Sequence, residues 1–324
     1  MPPAHRRVSP SQPAEERNEL PVAGSGYAHE RFWRNKPKAS KARPVLLSFD
    51  ELPEWQQDSG YIRHGYRPIS GSAQVSFSSW SYLHNESVNI YSHLIPGIAF
   101  LLGEWYIQQY LASRYSTVTA TDYLIFTFFL LTAVICLGLS TIYHTLLNHS
   151  HKVEQLCLQL DLVGIAFLTV GDFISGIRMV FYCESLQRNI YWSMTGILGA
   201  LTIGIMVSPR FQGREFRIFR TLTFVGLGTS GFAPLIHGIT MFGWSQMVKQ
   251  SGMPYYLVEG GFLLAGTFFY ATKFPESRYP GKFDIWGSSH QLFHIMVVLA
   301  TVTQLVGLLQ AFDYNYFHRI CSSL

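Results

Sequence analysis

The chain has 324 residues, 48% of them hydrophobic and 14% charged, with a formal net charge of +4. A soluble domain carries about a quarter charged residues, so this composition sets the chain apart from ordinary water-soluble enzymes. The four cysteines form no CxxC pair and imply no disulfide framework.

Residues 1–84 read as a polar, basic, cytosolic tail, partly disordered, with a short structured segment before the membrane. No apolar segment in its first thirty or so residues is long enough for a signal peptide. Its basic residues cluster between Arg31 and Arg43. Beside a membrane such a cluster rests over anionic head groups, and this reading is preferred to nucleic-acid binding. Residues 85–312 form the membrane domain and residues 313–324 a short outer tail.

A spanning helix needs about 20 mostly apolar residues. Seven stretches qualify: Val88–Tyr110, Tyr123–Leu146, Leu156–Cys183, Ile190–Val207, Phe219–Phe242, Pro254–Thr272 and Ser289–Leu309. The fold class is therefore all-α, a seven-helix bundle. Cys136 lies inside the second span and reads as a small buried hydrophobe. Asp172 and Arg178 in the third span are costly in lipid and must face the interior or an interface. Six residues apart, they do not share a face; Arg178 is expected to pair with Glu259 near the outer end of the sixth span. The small residues before Pro234 predict a kink in the fifth.

Orientation follows the basic residues of short loops. Alternate loops hold eight lysines and arginines on one side against four on the other. The N-terminus is then cytosolic and the C-terminus outside, the reverse of a G-protein-coupled receptor.

On this map Ser140 and His144 fall in the last cytosolic turns of the second span. Asp161 falls near the start of the third, and His290 and His294 in the first turns of the seventh. His290 and His294 are four apart and share a helix face. This is the spacing of HExxH zinc motifs, without the glutamate. Ser288 or Ser289 can cap that helix. Three neutral imidazoles at one depth, with no thiolate, suit Zn2+ with one open position for water. Zinc lowers the pKa of bound water to about 7 and makes hydroxide available. Asp161 would hydrogen-bond the water or act as general base, and Ser140 would hold a substrate carbonyl. Glu86 is read as complementing a helix dipole in preference to belonging to a cytosolic polar cap over the zinc cavity, and His93 as a hydrogen-bonded structural histidine in preference to a substrate contact.

The chain resembles the progestin and adipoQ receptor family, which includes adiponectin receptors, fungal relatives and bacterial hemolysin III-like proteins. The resemblance runs from Glu51 to about Leu309. It is carried by Glu51-Leu52-Pro53 with Ile62 and Gly65-Tyr66-Arg67, and by His84-Asn85-Glu86-Ser87-Val88-Asn89-Ile90 with His93. It continues in Ser140, His144 and Asp161, in Pro275-Glu276 and Pro280 to Asp284, and in Ser289-His290-Gln291-Leu292-Phe293-His294. It implies a seven-helix fold with zinc on His144, His290 and His294, Asp161 reaching the metal through water, and Ser140 nearby. It points to the fungal or adiponectin-receptor branch, in which adiponectin receptors are associated with ceramide hydrolysis and fungal members with sterol, lipid and zinc homeostasis.

Two functions stay open. One is a zinc-dependent amide hydrolase acting on a ceramide-like lipid; the other is a non-enzymatic receptor with structural zinc. Zinc transport is disfavoured, because the ligands cluster at one face only. The partners to expect are the membrane of the cell surface or endoplasmic reticulum and a ceramide-like lipid or fatty acid. A homodimer partner and an extracellular protein ligand remain open.

Overall fold

The computed structural model describes residues 45–319 and 321; the basic cluster from Arg31 to Arg43 lies outside the described residues. Within these limits the fold is all helical, with one isolated bridge between Leu47 and Tyr66. In chain order the α-helices are α1 Ala73–Ser78, α2 Ser87–Arg114, α3 Ala120–Leu146, α4 His151–Val180 and α5 Ser185–Val207. They continue with α6 Arg217–Ser230, α7 Phe232–Phe242, α8 Trp244–Gln250, α9 Met253–Thr272 and α10 Ser289–His318.

Five segments are long and apolar enough to cross a membrane: α3, α4, α5, α6 with α7 taken together, and α10. The expected first and sixth spans form helices too, α2 and α9, but are not among these five. Polar side chains such as Asn89, His93, Glu104 and Gln108 dilute α2, and Glu259 with three glycines dilutes α9. The expected fifth span is two helices. Proline lacks an N–H and its ring crowds the carbonyl four residues back; for Pro234 that residue is Ser230, where α6 ends. The break at Gly231 also has a packing cause. A Cβ there would strike the Tyr256 hydroxyl and the Phe173 ring, so only glycine allows the close approach.

α3 lies between α2 and α4, and α10 packs on α9, α2 and α4. Phe126, Phe129, Leu130 and Phe312 fill the largest buried cluster. In lipid, packing and internal hydrogen bonds must hold helices together, because the tails are as apolar as the side chains. Asn315 supplies one such tie, donating through Nδ2 to Met179 O at 3.2 Å and Gln250 O at 2.7 Å.

Two expectations are corrected. Arg178 does not pair with Glu259: its Nη2 donates to Asp122 Oδ1 at 3.0 Å and its Nη1 to Tyr182 O at 2.7 Å. Asp122 sits in the first turn of α3, which lies beside the last turn of α4. Glu259 instead hydrogen-bonds Asp172 across α9 and α4. The second correction concerns the cysteines. Cys183 and Cys321 form a disulfide spanning 138 residues, with Cα atoms 5.0 Å apart. No local spacing announces it, because it joins the end of α4 to the segment after α10. Cys136 is free and buried, as expected. α10 itself runs to His318, past the residue-312 boundary.

Candidate metal centre

The site grows from three helix ends that a folded N-terminal segment binds together. α3 ends at Leu146, and its last carbonyls lack helical partners, as at any helix C-terminus. The buried Arg67 guanidinium supplies them: Nη2 donates to His144 O at 2.6 Å and Nη1 to Thr145 O at 3.0 Å. Nη1 also reaches Ser79 Oγ at 2.8 Å. Burial pulls the Arg67 pKa down to about 10, against the attraction of Glu86. Beside it, burial first and the Arg67 charge second push His84 down to about 3. The neutral ring accepts the Glu86 N–H on Nδ1 at 3.1 Å.

At the start of α10, Ser288 occupies the cap position without a side-chain cap bond. The buried Glu276 does the capping, accepting the Ser289 N–H at 2.7 Å and the Ser289 hydroxyl. A carboxylate is favoured at a helix N-terminus, and this one fixes the turn that carries His290.

His144, His290 and His294 come together, their ligand nitrogens all within 4.8 Å of one another. The ring centroids of His144 lie 5.0 Å from His290 and 4.8 Å from His294. His144 and His290 face each other through Nε2 atoms 3.2 Å apart. Two imidazoles at about 2.0–2.1 Å from one tetrahedral zinc would place their nitrogens roughly 3.4 Å apart. The outer nitrogens are spoken for: His144 Nδ1 meets Glu86 Oε2 at 2.7 Å, and His294 Nδ1 meets Asn89 O at 3.2 Å. An imidazole whose Nδ1–H is taken by an oxygen offers its Nε2 lone pair inward, the usual support for a metal ligand. The buried group could hold a metal ion, and its all-imidazole donor set suits zinc.

Ser140, one turn before His144, hydrogen-bonds Asp161 of α4, and Asp161 lies near enough to feel the charge of His144. All five residues singled out in the sequence thus fall in one neighbourhood. Two others were misjudged. Glu86 is more than a helix-dipole residue: it ties His144 and Asn89, the latter at 2.6 Å. Burial opposes its charge, but the His144 and Asn89 hydrogen bonds and Arg67 hold its carboxyl down at about 2. Its bond to His144 favours the less preferred reading, a polar run before the first span that folds over the site. His93 is not hydrogen-bonded; both its ring nitrogens are buried without a partner, and the ring stacks on His294 at 3.7 Å.

Comparison with known proteins places the chain in a family. A family model described as haemolysin-III related matches residues 81–305. Progestin and adipoQ receptor-like protein 1 of Caenorhabditis elegans is 38% identical over 84% of this chain, which spans 62% of that relative's length. ADIPOR-like receptor IZH2 of Saccharomyces cerevisiae is 36% identical, over 85% of this chain and 87% of its own. Heptahelical transmembrane protein 1 of Arabidopsis thaliana is 30% identical, over 84% and 83%. The chain belongs to the haemolysin-III-related family, the family of progestin and adipoQ receptors and adiponectin receptor-like proteins, and is an integral multi-pass membrane protein.

Proposed function

We propose that this is a seven-span, zinc-containing membrane protein of lipid metabolism that hydrolyses the amide of a ceramide-like lipid. Seven spans are supported by the outward faces of the two helices outside the five most apolar ones. α2 exposes Ile95, Ile98, Leu101, Leu102 and Trp105, and α9 exposes Leu257, Val258, Leu264 and Phe268. In water such contiguous apolar faces would be a liability; in lipid they are solvent-matched. A cytosolic N-terminus and outer C-terminus are supported by the Cys183–Cys321 disulfide, since disulfides persist outside the reducing cytosol. The histidines lie at the opposite helix ends, on the cytosolic side.

The observation that carries the reading is the convergence of three buried imidazoles beside a Ser140–Asp161 pair. Zinc held there would supply Lewis acidity and make water nucleophilic at neutral pH. Asp161 takes a proton as general base. The Ser140 hydroxyl, one helical turn from His144, rests on the Asp161 carboxylate and is freed for the substrate carbonyl once Asp161 holds the proton. Glu86 and Asn89 O hold the His144 and His294 rings in one tautomer.

The test is fatty-acid release from ceramide by purified, zinc-loaded protein in nanodiscs. Turnover should vanish with chelator and in Asp161→Asn, while Asp161→Asn keeps most of its zinc. A zinc-replete sample without turnover would favour the second reading, a receptor in which zinc only clamps α3 to α10. That reading draws on the receptor names of the worm and yeast relatives.

A further inference from the structure

The opposite end of the bundle holds a second polar site. Thr119 precedes α3 and His144 ends it, about 37 Å apart along the helix axis at ~1.5 Å per residue. Here Arg178, only 8% exposed, spends its two terminal nitrogens on Asp122 and Tyr182 O. Its Nε is buried with no partner among the described residues. Arg188, in the first turn of α5, donates through Nη1 to Phe181 O and Tyr182 O, each at 3.2 Å, and its Nε is also buried with no partner among the described residues. Both arginines line a pocket of about 510 Å³ with Thr119, Thr121, Tyr182 and Trp192. The Cys183–Cys321 disulfide lines it too.

Charge is not balanced there. Asp122 is the carboxylate that meets Arg178, and its second oxygen is taken by the Thr119 N–H at 3.1 Å and hydroxyl at 2.7 Å. Glu184 attracts Arg188 but is held by Arg319. One positive charge is left over, and the two guanidiniums repel each other. Their planes are held against aromatic rings, Arg178 4.1 Å from the Tyr182 centroid and Arg188 5.5 Å from Trp192. Unpartnered, desolvated guanidinium N–H groups are costly, and their fork geometry matches an oxyanion.

We propose that this pocket binds the phosphate of a phospholipid headgroup. A lipid is favoured over a soluble phosphate by position: the pocket sits at the ends of three membrane helices, walled by Tyr182 and Trp192. Such residues gather at headgroup depth. Leu124, one turn deeper along α3 than Thr121, is exposed and apolar, as a residue facing acyl chains would be.

The test is the binding of dioctanoylphosphatidylglycerol to the purified full-length protein in detergent, read by native mass spectrometry with zinc content as the folding check. Arg188 is the residue to change, because it is only partly buried and carries no ion pair to a helix cap. Arg188→Gln should weaken binding tenfold or more, Arg188→Lys should recover part of it, and Thr121→Val should weaken it severalfold. Dioctanoylglycerol, which lacks the phosphate, should not bind, and inorganic phosphate should compete only at far higher concentration. Wild-type affinity in both Arg188→Gln and Thr121→Val, or equal binding of dioctanoylglycerol, would overturn the proposal. Displacement by inorganic phosphate at matching concentration would overturn the lipid assignment.

Discussion

The two ends of this bundle both bury ionisable side chains, yet they leave opposite needs. At one end three imidazoles converge, with the Nδ1 atoms of His144 and His294 tied to Glu86 and Asn89 O. A neutral ring is cheap to bury and offers a lone pair, so that end calls for a cation. At the other end Arg178 and Arg188 cannot shed their charge, and one carboxylate, Asp122, directly answers them. That end calls for an anion. Burial alone therefore does not say what a polar cluster binds; the protonation chemistry of the side chain decides it.

The largest expected break of this contrast is at the histidines. His294→Ala should abolish stoichiometric zinc in purified protein, measured by elemental analysis. Chelator should lower the melting temperature of wild type but leave that of the variant unchanged. Saturation at a hundredfold over Kd stabilises by about 2.7 kcal/mol, so the shift should span several degrees. At the arginine end, Asp122→Ala strands a buried guanidinium and removes the carboxylate half of the α3 capping box. A broken buried pair costs roughly 3–5 kcal/mol, and thermal unfolding in detergent should show it; an unchanged melting temperature would mean the pair is solvated.

Glu86→Gln sharpens the comparison by keeping the fold and removing the charge behind His144. Loss of such a support lowers metal affinity about 10–100-fold, to be read by competition with a zinc chelator. Gly231→Ala tests the helix break, since its methyl meets Tyr256 and Phe173; overpacking of this kind costs about 1–3 kcal/mol. The smallest effect concerns pH. His84 has its folded pKa lowered from 6.5 to about 3. Its contribution to stability is fully present above pH 6.5 and is lost as pH falls toward 3, because the unfolded ring takes up the proton first. Hydrogen-exchange protection factors in residues 65–86, each rate referred to the intrinsic rate at that pH, should fall over that window in wild type and less so in His84→Gln.

Much of the site was legible beforehand. His290 and His294 four apart lie on one helix face whatever surrounds them, and alternating spans bring His144, Ser140 and Asp161 to the same depth. The kink near Pro234 followed from a missing N–H. Glu86, by contrast, looks in sequence like any acidic residue at a helix start, and its bond to His144 crosses 58 residues. The partner of Arg178 was misassigned because depth along a span says nothing about azimuth. Both Asp122 and Glu259 fit a pairing by depth, and only the packing of α3 against α4 selects the former.

The sequence by itself determined the long helices, the family and the three converging histidines, because these rest on local hydrophobic runs, on quoted motifs and on 3.6-residue periodicity. Tertiary structure alone decided that Arg67 caps α3, that Glu276 caps α10, that Cys183 meets Cys321 and that two arginines share one pocket. These contacts join residues far apart in the chain, and their geometry depends on how each helix is rotated about its own axis, which periodicity leaves free.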